Sequence, residues 1–207
     1  MSNQTLNPAE QLYSEVEAHR KADYPVAPLF LNRWSPRSYT ESQVTDEVLN
    51  TVLEAARWAP SSSNLQPWRF VVAKTEEQRQ AFHAFIRPNN RLWVEKAPVL
   101  ILLASHRVNA NGDPNGAHAF DTGAAWGLLA LQAKLLGLST RAIGGFDKEE
   151  ARLSLHVPDE FELHAVIALG YQGDAETLHE SFRDRETPNG RRPLQESIIE
   201  GRWEASE

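Results

Sequence analysis

Residues 121–136, DTGAAWGLLALQAKLL, are apolar on nearly every side if they form a helix. Gly137 follows at once, and glycine commonly ends helices because it adopts the left-handed conformation without strain. A helix without a polar face has to be enclosed by other elements of the fold. We therefore predict a buried central helix here, and a chain of 207 residues can build one domain that contains it.

Short apolar runs rich in β-branched residues indicate strands on both sides of this helix. The predicted strands are WRFVVA (68–73), APVLILLAS (97–105), STRAI (139–143) and HAVIALG (164–170). The run at 97–105 is apolar throughout, which is typical of a strand at the centre of a sheet.

Helix starts are marked by residues that cap free backbone N–H groups. Thr45 is a predicted N-cap, Thr75 and Gln78 form a predicted capping box, and Asp147 with Glu150 caps another helix. A further helix is predicted over 8–20. Helices interspersed with strands indicate an α+β or α/β fold, taken as a single domain over 1–207. The polar tail, about 174–207, has too few apolar residues to pack alone, so we expect it to lie along a partner subunit.

Composition excludes several classes of function. The net charge of −7 argues against nucleic-acid and anionic membrane partners, and the lack of cysteine removes thiolate chemistry and cysteine-bound metals. The seven histidines are scattered, so we predict no metal site, and no nucleophile, phosphate-loop or dinucleotide motif is present. The polar N-terminus and the absence of a long apolar run predict a cytoplasmic protein. An enzyme of this kind would need a borrowed cofactor.

Two basic segments could bind an oxyanion. In NRWSPRSY, Arg33, Ser35 and Arg37 alternate, so an extended backbone would place them on one face, where guanidinium groups bind phosphate well. The alternative is a loop with two solvated arginines. Arg191 and Arg192 lie in the polar tail, where basic residues are commonly just solvated.

Two further segments have a functional and a plain interpretation. APSSSNLQPW (59–68) gathers hydroxyl and amide groups that could meet the polar edge of a heterocycle, or could form only a serine-rich turn. RAIGGFD (141–147) pairs two glycines between a strand and a helix. They could let the backbone approach a ligand closely, or could serve a turn that needs positive φ.

Together these motifs resemble the flavin-dependent nitroreductase family over most of residues 29–201. RWSPRSY is similar to its N-terminal phosphate motif, and AARWAPSSSNLQPWRFVV is similar to its stretch P-S-S-x-N-x-Q-P-W. FDTGAAWGLLALQAKLLGLST resembles the long helix at its dimer interface. AIGGFD and LHAVIALGY resemble the segment beside the flavin ring and the strand that follows it.

The resemblance implies an α+β nitroreductase-like fold with a mixed central sheet flanked by helices. It also implies an intertwined homodimer with two FMN sites, each built from both subunits. The implied cofactor-binding residues are Arg33, Trp34, Ser35, Arg37, Pro60, Ser61, Ser62, Asn64, Gln66, Asn90, Ile143, Gly144, Gly145, Arg191 and Arg192.

These residues would divide the cofactor among them. The segment from Arg33 to Arg37 would hold the phosphate and the nearby flavin edge, and residues 60–66 of the other subunit would line the ribityl chain and ring. The amides of Gly144 and Gly145 would face N5 and O4. Arg191 would complete the phosphate site. Arg192 is the alternative, because relatives often carry a lysine two residues ahead of the tail arginine and this chain does not.

Two details of the implied site depart from the family pattern or stay open. Gly144 stands where relatives often carry a carboxylate. The absence of that carboxylate should alter the shape of the pocket but leave the backbone contact intact. Either Asn89 or Asn90 would reach the pyrimidine edge.

The resemblance further implies an NAD(P)H oxidoreductase that reduces nitroaromatic or quinone-like acceptors by ping-pong hydride transfer through flavin N5. No side chain is predicted to be catalytic, and Arg37 is the candidate for stabilising negative charge at the N1–O2 edge. The alternatives are a family member that reduces an enone or an iodinated aromatic, a flavin-binding sensor or storage protein without turnover, and a structural oligomer.

Overall fold

The computed structural model describes residues 7–203 of the chain. The helices and strands in chain order are α1 (Ser14–Glu17), α2 (Pro28–Asn32), α3 (Asp46–Arg57), β1 (Trp68–Ala73), α4 (Glu76–Phe85), α5 (Pro88–Val94), β2 (Val99–His106), α6 (His118–Leu135), β3 (Leu138–Ile143), α7 (Lys148–Ser154), β4 (Phe161–Tyr171) and α8 (Glu180–Arg183). Short 3₁₀ turns lie at Ser62–Asn64, Ala175–Thr177 and Leu194–Ser197.

The four strands form one sheet in the order β1-β2-β4-β3. Every neighbouring pair is antiparallel, so among residues 7–203 the sheet is not mixed and that part of the expectation is wrong. The physical reason is the position of β4, which lies between β2 and β3 and separates the two strands that α6 joins. The sheet with its helices confirms the α+β class.

Helices cover both faces of the sheet. Alternate residues of β2 contribute to two separate apolar clusters, with Leu100 and Leu102 on the side of α4 and α5, and Ile101 and Leu103 on the side of α3 and α6. All residues of β2 except the last are buried, and β2 has a strand on either side. The prediction of a central strand at 97–105 is therefore confirmed.

The predicted helix starts are confirmed in detail. The Thr45 side chain accepts a hydrogen bond from the Val48 amide. Thr75 and Gln78 form the reciprocal capping box, and Asp147 accepts from the Glu150 amide. These local signals therefore fix where α3, α4 and α7 begin.

The predicted helix over 8–20 is wrong, since only Ser14–Glu17 is helical. The buried side chain of Asn32 provides the physical reason. Its amide donates to the carbonyls of Pro8 (3.0 Å) and Gln11 (2.8 Å), and its carbonyl accepts from the Tyr13 amide (2.9 Å). Backbone groups that a continuous helix would use are thereby bound to a distant side chain.

The central helix α6 is buried on only one side. Ala125, Leu129 and Ala133 are fully buried against α3 and the sheet, whereas Phe120 is 82% exposed and Leu135 is 41% exposed. The predicted burial is therefore observed for one side of the helix within the single chain, and burial of the other side at a dimer interface stays a prediction. An uncovered apolar face on a long helix is typical of a surface that another molecule covers.

The first part of the tail lies on its own chain. The Glu186 carboxylate is buried and accepts hydrogen bonds from the Ser38 amide (2.7 Å) and the Ser38 hydroxyl (2.9 Å). Further along the tail, Ile198, Ile199 and Trp203 are exposed. The contact of this last part with a partner subunit stays a prediction.

Gly170 of β4 gives a direct test of the core packing. A Cβ at this position would lie 2.5 Å from Cδ of Pro98 and 3.0 Å from Cδ1 of Tyr39. We expect Gly170→Ala to lower the free energy of unfolding by about 1–3 kcal/mol, as overpacking commonly does. Urea denaturation measures the loss. Gly116→Ala is the control, since nothing lies within 4 Å of its added Cβ, and equal losses in both variants would contradict the packing described.

Candidate functional site

Arg33, Ser35 and Arg37 lie on one face of an extended segment, as the alternation predicts. Their side chains are half-buried while the residues between them are buried. The Arg33 guanidinium donates to the Ser35 hydroxyl at 3.3 Å. Trp34 points to the opposite face, where its side chain is buried, and the structure therefore separates Trp34 from the other three.

A cavity of about 580 Å³ opens beside this segment, and we call it the arginine cavity. Its lining combines guanidinium and hydroxyl groups with apolar side chains of α2 and α6 and contains no acidic residue. The lining residues are Phe30, Arg33, Ser35, Trp126, Gly127, Ala130, Leu131, Arg141, Ala142 and Asn189. Such a surface suits a ligand with an anionic end and a flat apolar body.

Arg141 of β3 is a cation of this site that the sequence did not reveal. It lines the arginine cavity and a neighbouring cavity of about 290 Å³ that also contains Ser35 and Arg37. Its guanidinium donates to the Ser35 carbonyl and lies 5.5 Å from the centre of the Trp93 ring. Burial, and then the charge of Arg37, lowers the pKa of Arg141. A charged residue within a predicted strand was the available signal.

Arg37 differs from Arg33 in having an acidic partner. Its guanidinium lies 3.6 Å from the Glu186 carboxylate and 5.3 Å from the centre of the Phe182 ring. The positive charge of Arg37 is therefore partly neutralised by the tail. Its assignment to the flavin edge stays a prediction.

The tail brings Arg191 close to Arg33. Burial, and then the charge of Arg191, lowers the pKa of Arg33. The same two cations act on Arg20, whose pKa falls to about 10, mainly through burial. No carboxylate of residues 7–203 forms an ion pair with these three arginines. Both tail arginines are exposed, but it is the charge of Arg191 that acts on Arg33, so the structure favours Arg191 over Arg192 as the neighbour of Arg33.

The serine-rich turn has an unusual backbone. Ser63, Asn64 and Gln66 all have positive φ, although none is glycine. Left-handed conformations cost such residues about 1–2 kcal/mol each, and they concentrate where function requires them. The Ser61 hydroxyl accepts from the Gln66 amide at 3.1 Å and stabilises the turn.

The serine-rich turn is attached to the start of α6. The Ser62 amide donates to the Asp121 carboxylate at 3.0 Å, and Pro60, Ser62 and Asn64 are exposed. Residues 60–66 are absent from the lining of the arginine cavity. That lining meets α6 between Trp126 and Leu131, so it begins five residues beyond Asp121, or about 8 Å along the helix axis.

The two glycines of GGF do not have positive φ, so the turn explanation fails for them. Gly145 instead permits a close approach, since a Cβ there would lie 2.7 Å from the Asn90 side-chain nitrogen. Its carbonyl accepts from Asn90 at 3.3 Å, whereas Asn89 is exposed. Ile143 is buried, and the space around a Gly144 Cβ is open.

Two of the seven histidines come together. His118 and His164 both contact the Ser105 hydroxyl, at 2.7 and 2.6 Å. Burial lowers the pKa of His164. Within residues 7–203, no group of three or more metal-binding side chains is found, and no helix there is long and apolar enough to cross a membrane.

The fold and the site together define an α+β protein with an arginine-lined cavity beside a long, half-exposed helix. A model of the nitroreductase family matches residues 31–91 and 75–171 of the chain. The chain therefore belongs to the nitroreductase family, which confirms the resemblance seen in the sequence.

Individual relatives agree with this assignment. A crystal structure titled an oxidoreductase containing FMN is 41% identical, with a TM-score of 0.86, and the match covers 90% of this chain and 97% of that one. An FMN-dependent nitroreductase from Clostridium difficile R20291 is 25% identical, with a TM-score of 0.61, over 72% of this chain and 88% of that one. A protein named NADH dehydrogenase from Thermus thermophilus is 30% identical over 178 residues, 70% of this chain and 85% of that protein.

Proposed function

We propose that this chain is an FMN-dependent NAD(P)H oxidoreductase that works as a cytoplasmic homodimer and reduces nitroaromatic or quinone-like acceptors. One observation carries the proposal. The Arg20 guanidinium donates to the carbonyls of Arg33 and of Asn189, two residues before Arg191, and so brings three arginines together in a chain of net charge −7. No carboxylate of residues 7–203 forms an ion pair with them. Like charges held together destabilise a protein unless an anion joins them, and the phosphate of FMN is such an anion.

The residues present fit the whole of FMN and not only its phosphate. Arg33, Ser35 and Arg141 line the same cavity and would hold the phosphate. Arg191, which lies outside that lining but acts on Arg33 through its charge, would join them from the tail. Phe30, Trp126 and Leu131 provide an apolar wall for an aromatic ring. Asn90 and the backbone beside Gly144 offer hydrogen-bonding groups for its polar edge.

FMN, when bound, supplies the redox chemistry, since it accepts a hydride from NAD(P)H and passes electrons to an acceptor. The protein's own groups bind, orient and stabilise charge. Arg37 and Arg141 are cations that would stabilise a more negative ligand, and Arg37 is held in place by Glu186. The open space at Gly144 leaves room for a donor or an acceptor.

A homodimer would account for two features that the contacts within a single chain do not explain. The exposed face of α6 needs an apolar partner, and a second α6 would provide one. The serine-rich turn is absent from the arginine cavity of its own chain and has exposed polar groups. We infer that each turn reaches the cavity of the other subunit, so that a complete site contains residues of both.

A spectroscopic experiment tests the function. The purified protein should show the absorbance of oxidised flavin near 450 nm, or gain it on addition of FMN. Anaerobic NADH or NADPH should bleach that absorbance, and a nitroaromatic or a quinone should restore it. Steady-state rates should give parallel lines in double-reciprocal plots, as a ping-pong reaction does.

Three results would count against the proposal or a part of it. A purified dimer that neither retains nor takes up FMN would rule out the flavoenzyme altogether. A protein that binds FMN but consumes at most one NAD(P)H per flavin with every acceptor would be a flavin-binding sensor or storage protein. Rapid turnover with enones or iodinated aromatics, and none with nitroaromatics or quinones, would assign a different substrate.

A further inference from the structure

Two parts of the chain that lie outside the family match meet at Arg20. The match spans residues 31–171, so Arg20 precedes it and Asn189 follows it. The Arg20 Nε donates to the Asn189 carbonyl at 2.8 Å. One terminal nitrogen of the same guanidinium donates to the carbonyls of Leu31 (2.6 Å) and Arg33 (2.9 Å).

Arg20 therefore joins two backbone segments through a single rigid group. Arginine suits this task, because its planar fork directs several N–H donors at fixed angles, which the point charge of a lysine cannot do. One segment carries Arg33, and the other carries Arg191, two residues beyond Asn189. Both are cations that we assign to the cofactor phosphate.

The segment that carries Arg20 is itself fixed to the fold. Asn32 is fully buried and holds three backbone groups of residues 8–13 through its side-chain amide. Asn32 also immediately precedes Arg33. The N-terminal segment is thereby bound to the same short stretch of chain at two points, through Asn32 and through Arg20.

The contacts of Arg20 work against electrostatic repulsion. Burial and the charges of Arg191 and Arg33 all lower its pKa. Three guanidinium groups would separate in an unconstrained chain, yet hydrogen bonds to three carbonyls hold them near one another. The arrangement resembles a preorganised anion site, whose ordering is completed before a ligand arrives.

We propose that Arg20 is a positioning residue of the cofactor-phosphate site, which holds the Arg33 segment and the Arg191 segment together so that both act on one phosphate. This inference rests on the proposed function. The N-terminal segment would thus serve the site without touching the flavin ring.

Riboflavin gives the decisive comparison, because it has the ring and ribityl chain of FMN but no phosphate. The dissociation constants of FMN and riboflavin are measured by quenching of flavin fluorescence in the wild type and in Arg20→Met. Loss of the positioning should lower the ratio of the riboflavin constant to the FMN constant about 5- to 10-fold. Arg20→Lys should show an intermediate ratio. Lys21→Met, which removes a neighbouring charge with no recorded hydrogen bond, should keep the wild-type ratio.

Each outcome decides between the two proposals. An Arg20→Met protein that loses affinity for both flavins by the same factor, or for neither, would overturn the role of Arg20 while the flavoenzyme stands. A wild type that binds neither flavin would overturn the proposed function itself. If Arg20→Met does not fold, Arg20→Lys carries the test, and a wild-type ratio in that variant would overturn the role.

Discussion

Replacing Arg33 and Arg191 together by methionine should weaken FMN binding by about 10²- to 10⁴-fold. In the proposed site each arginine would make a charge-assisted contact worth about 1.5–3 kcal/mol, and two such losses give this range. Methionine keeps the aliphatic stem that packs against neighbours, so the loss reports on charge and hydrogen bonding more than on packing. Isothermal titration of the flavin-free protein with FMN measures the change.

The control for this variant removes the same charge elsewhere. Lys21→Met with Arg202→Met also lowers the net charge by two, and neither residue has a recorded side-chain hydrogen bond or ion pair. We expect FMN affinity within about twofold of the wild type, because both side chains are exposed, neither lines the arginine cavity, and exposed charges are screened by salt. Equal losses in both double variants would show that overall charge, and not the gathered arginines, governs binding.

Gly123→Glu should convert the dimer to monomers and abolish FMN binding at micromolar concentrations. Gly123 is exposed on α6 in the single chain, and nothing lies within 4 Å of its added Cβ, so the isolated subunit tolerates the side chain. In a dimer built on the exposed face of α6, the glutamate would be an unpaired buried charge. Such charges cost about 3–5 kcal/mol in interfaces and cores. Analytical ultracentrifugation measures the association.

Gly116→Glu is the matched control for the interface. It makes the same substitution at a glycine with an equally open Cβ position, but in the loop before α6. This variant should remain dimeric and bind FMN normally. A Gly123→Glu protein that stays dimeric would show that α6 does not form the interface, and the serine-rich turn would then need another explanation.

Local signals allowed much of the fold to be predicted from the sequence. The caps at Thr45 and Thr75 act over three residues, and the apolar run of β2 reflects burial on both faces of the sheet. Both signals can therefore be recognised in the sequence without knowledge of tertiary contacts. The alternation of Arg33, Ser35 and Arg37 works in the same way, because an extended backbone fixes side-chain direction.

Features that depend on distant contacts were not predictable. Asn32, which is distant in sequence, binds backbone groups of residues 8–13 and so prevents a continuous helix over 8–20. Arg20 acts on the proposed phosphate site only through hydrogen bonds to the carbonyl groups of residues 31, 33 and 189. The local sequence STRAI does not predict that the Arg141 guanidinium donates to the Ser35 carbonyl. Which half of α6 its own chain buries was not predictable for a related reason, because an apolar sequence does not say whether its own chain or a second one covers it.

The hydrogen bond from the Ser62 amide to Asp121 connects the serine-rich turn to the first turn of α6. If α6 forms the interface, assembly and flavin occupancy are thermodynamically linked, and each must strengthen the other by the same factor. Flavin supply would then set the subunit equilibrium in dilute solution. Titrating FMN into a protein sample near its dissociation midpoint should therefore drive reassociation, and diluting the loaded protein should release flavin and subunits in step.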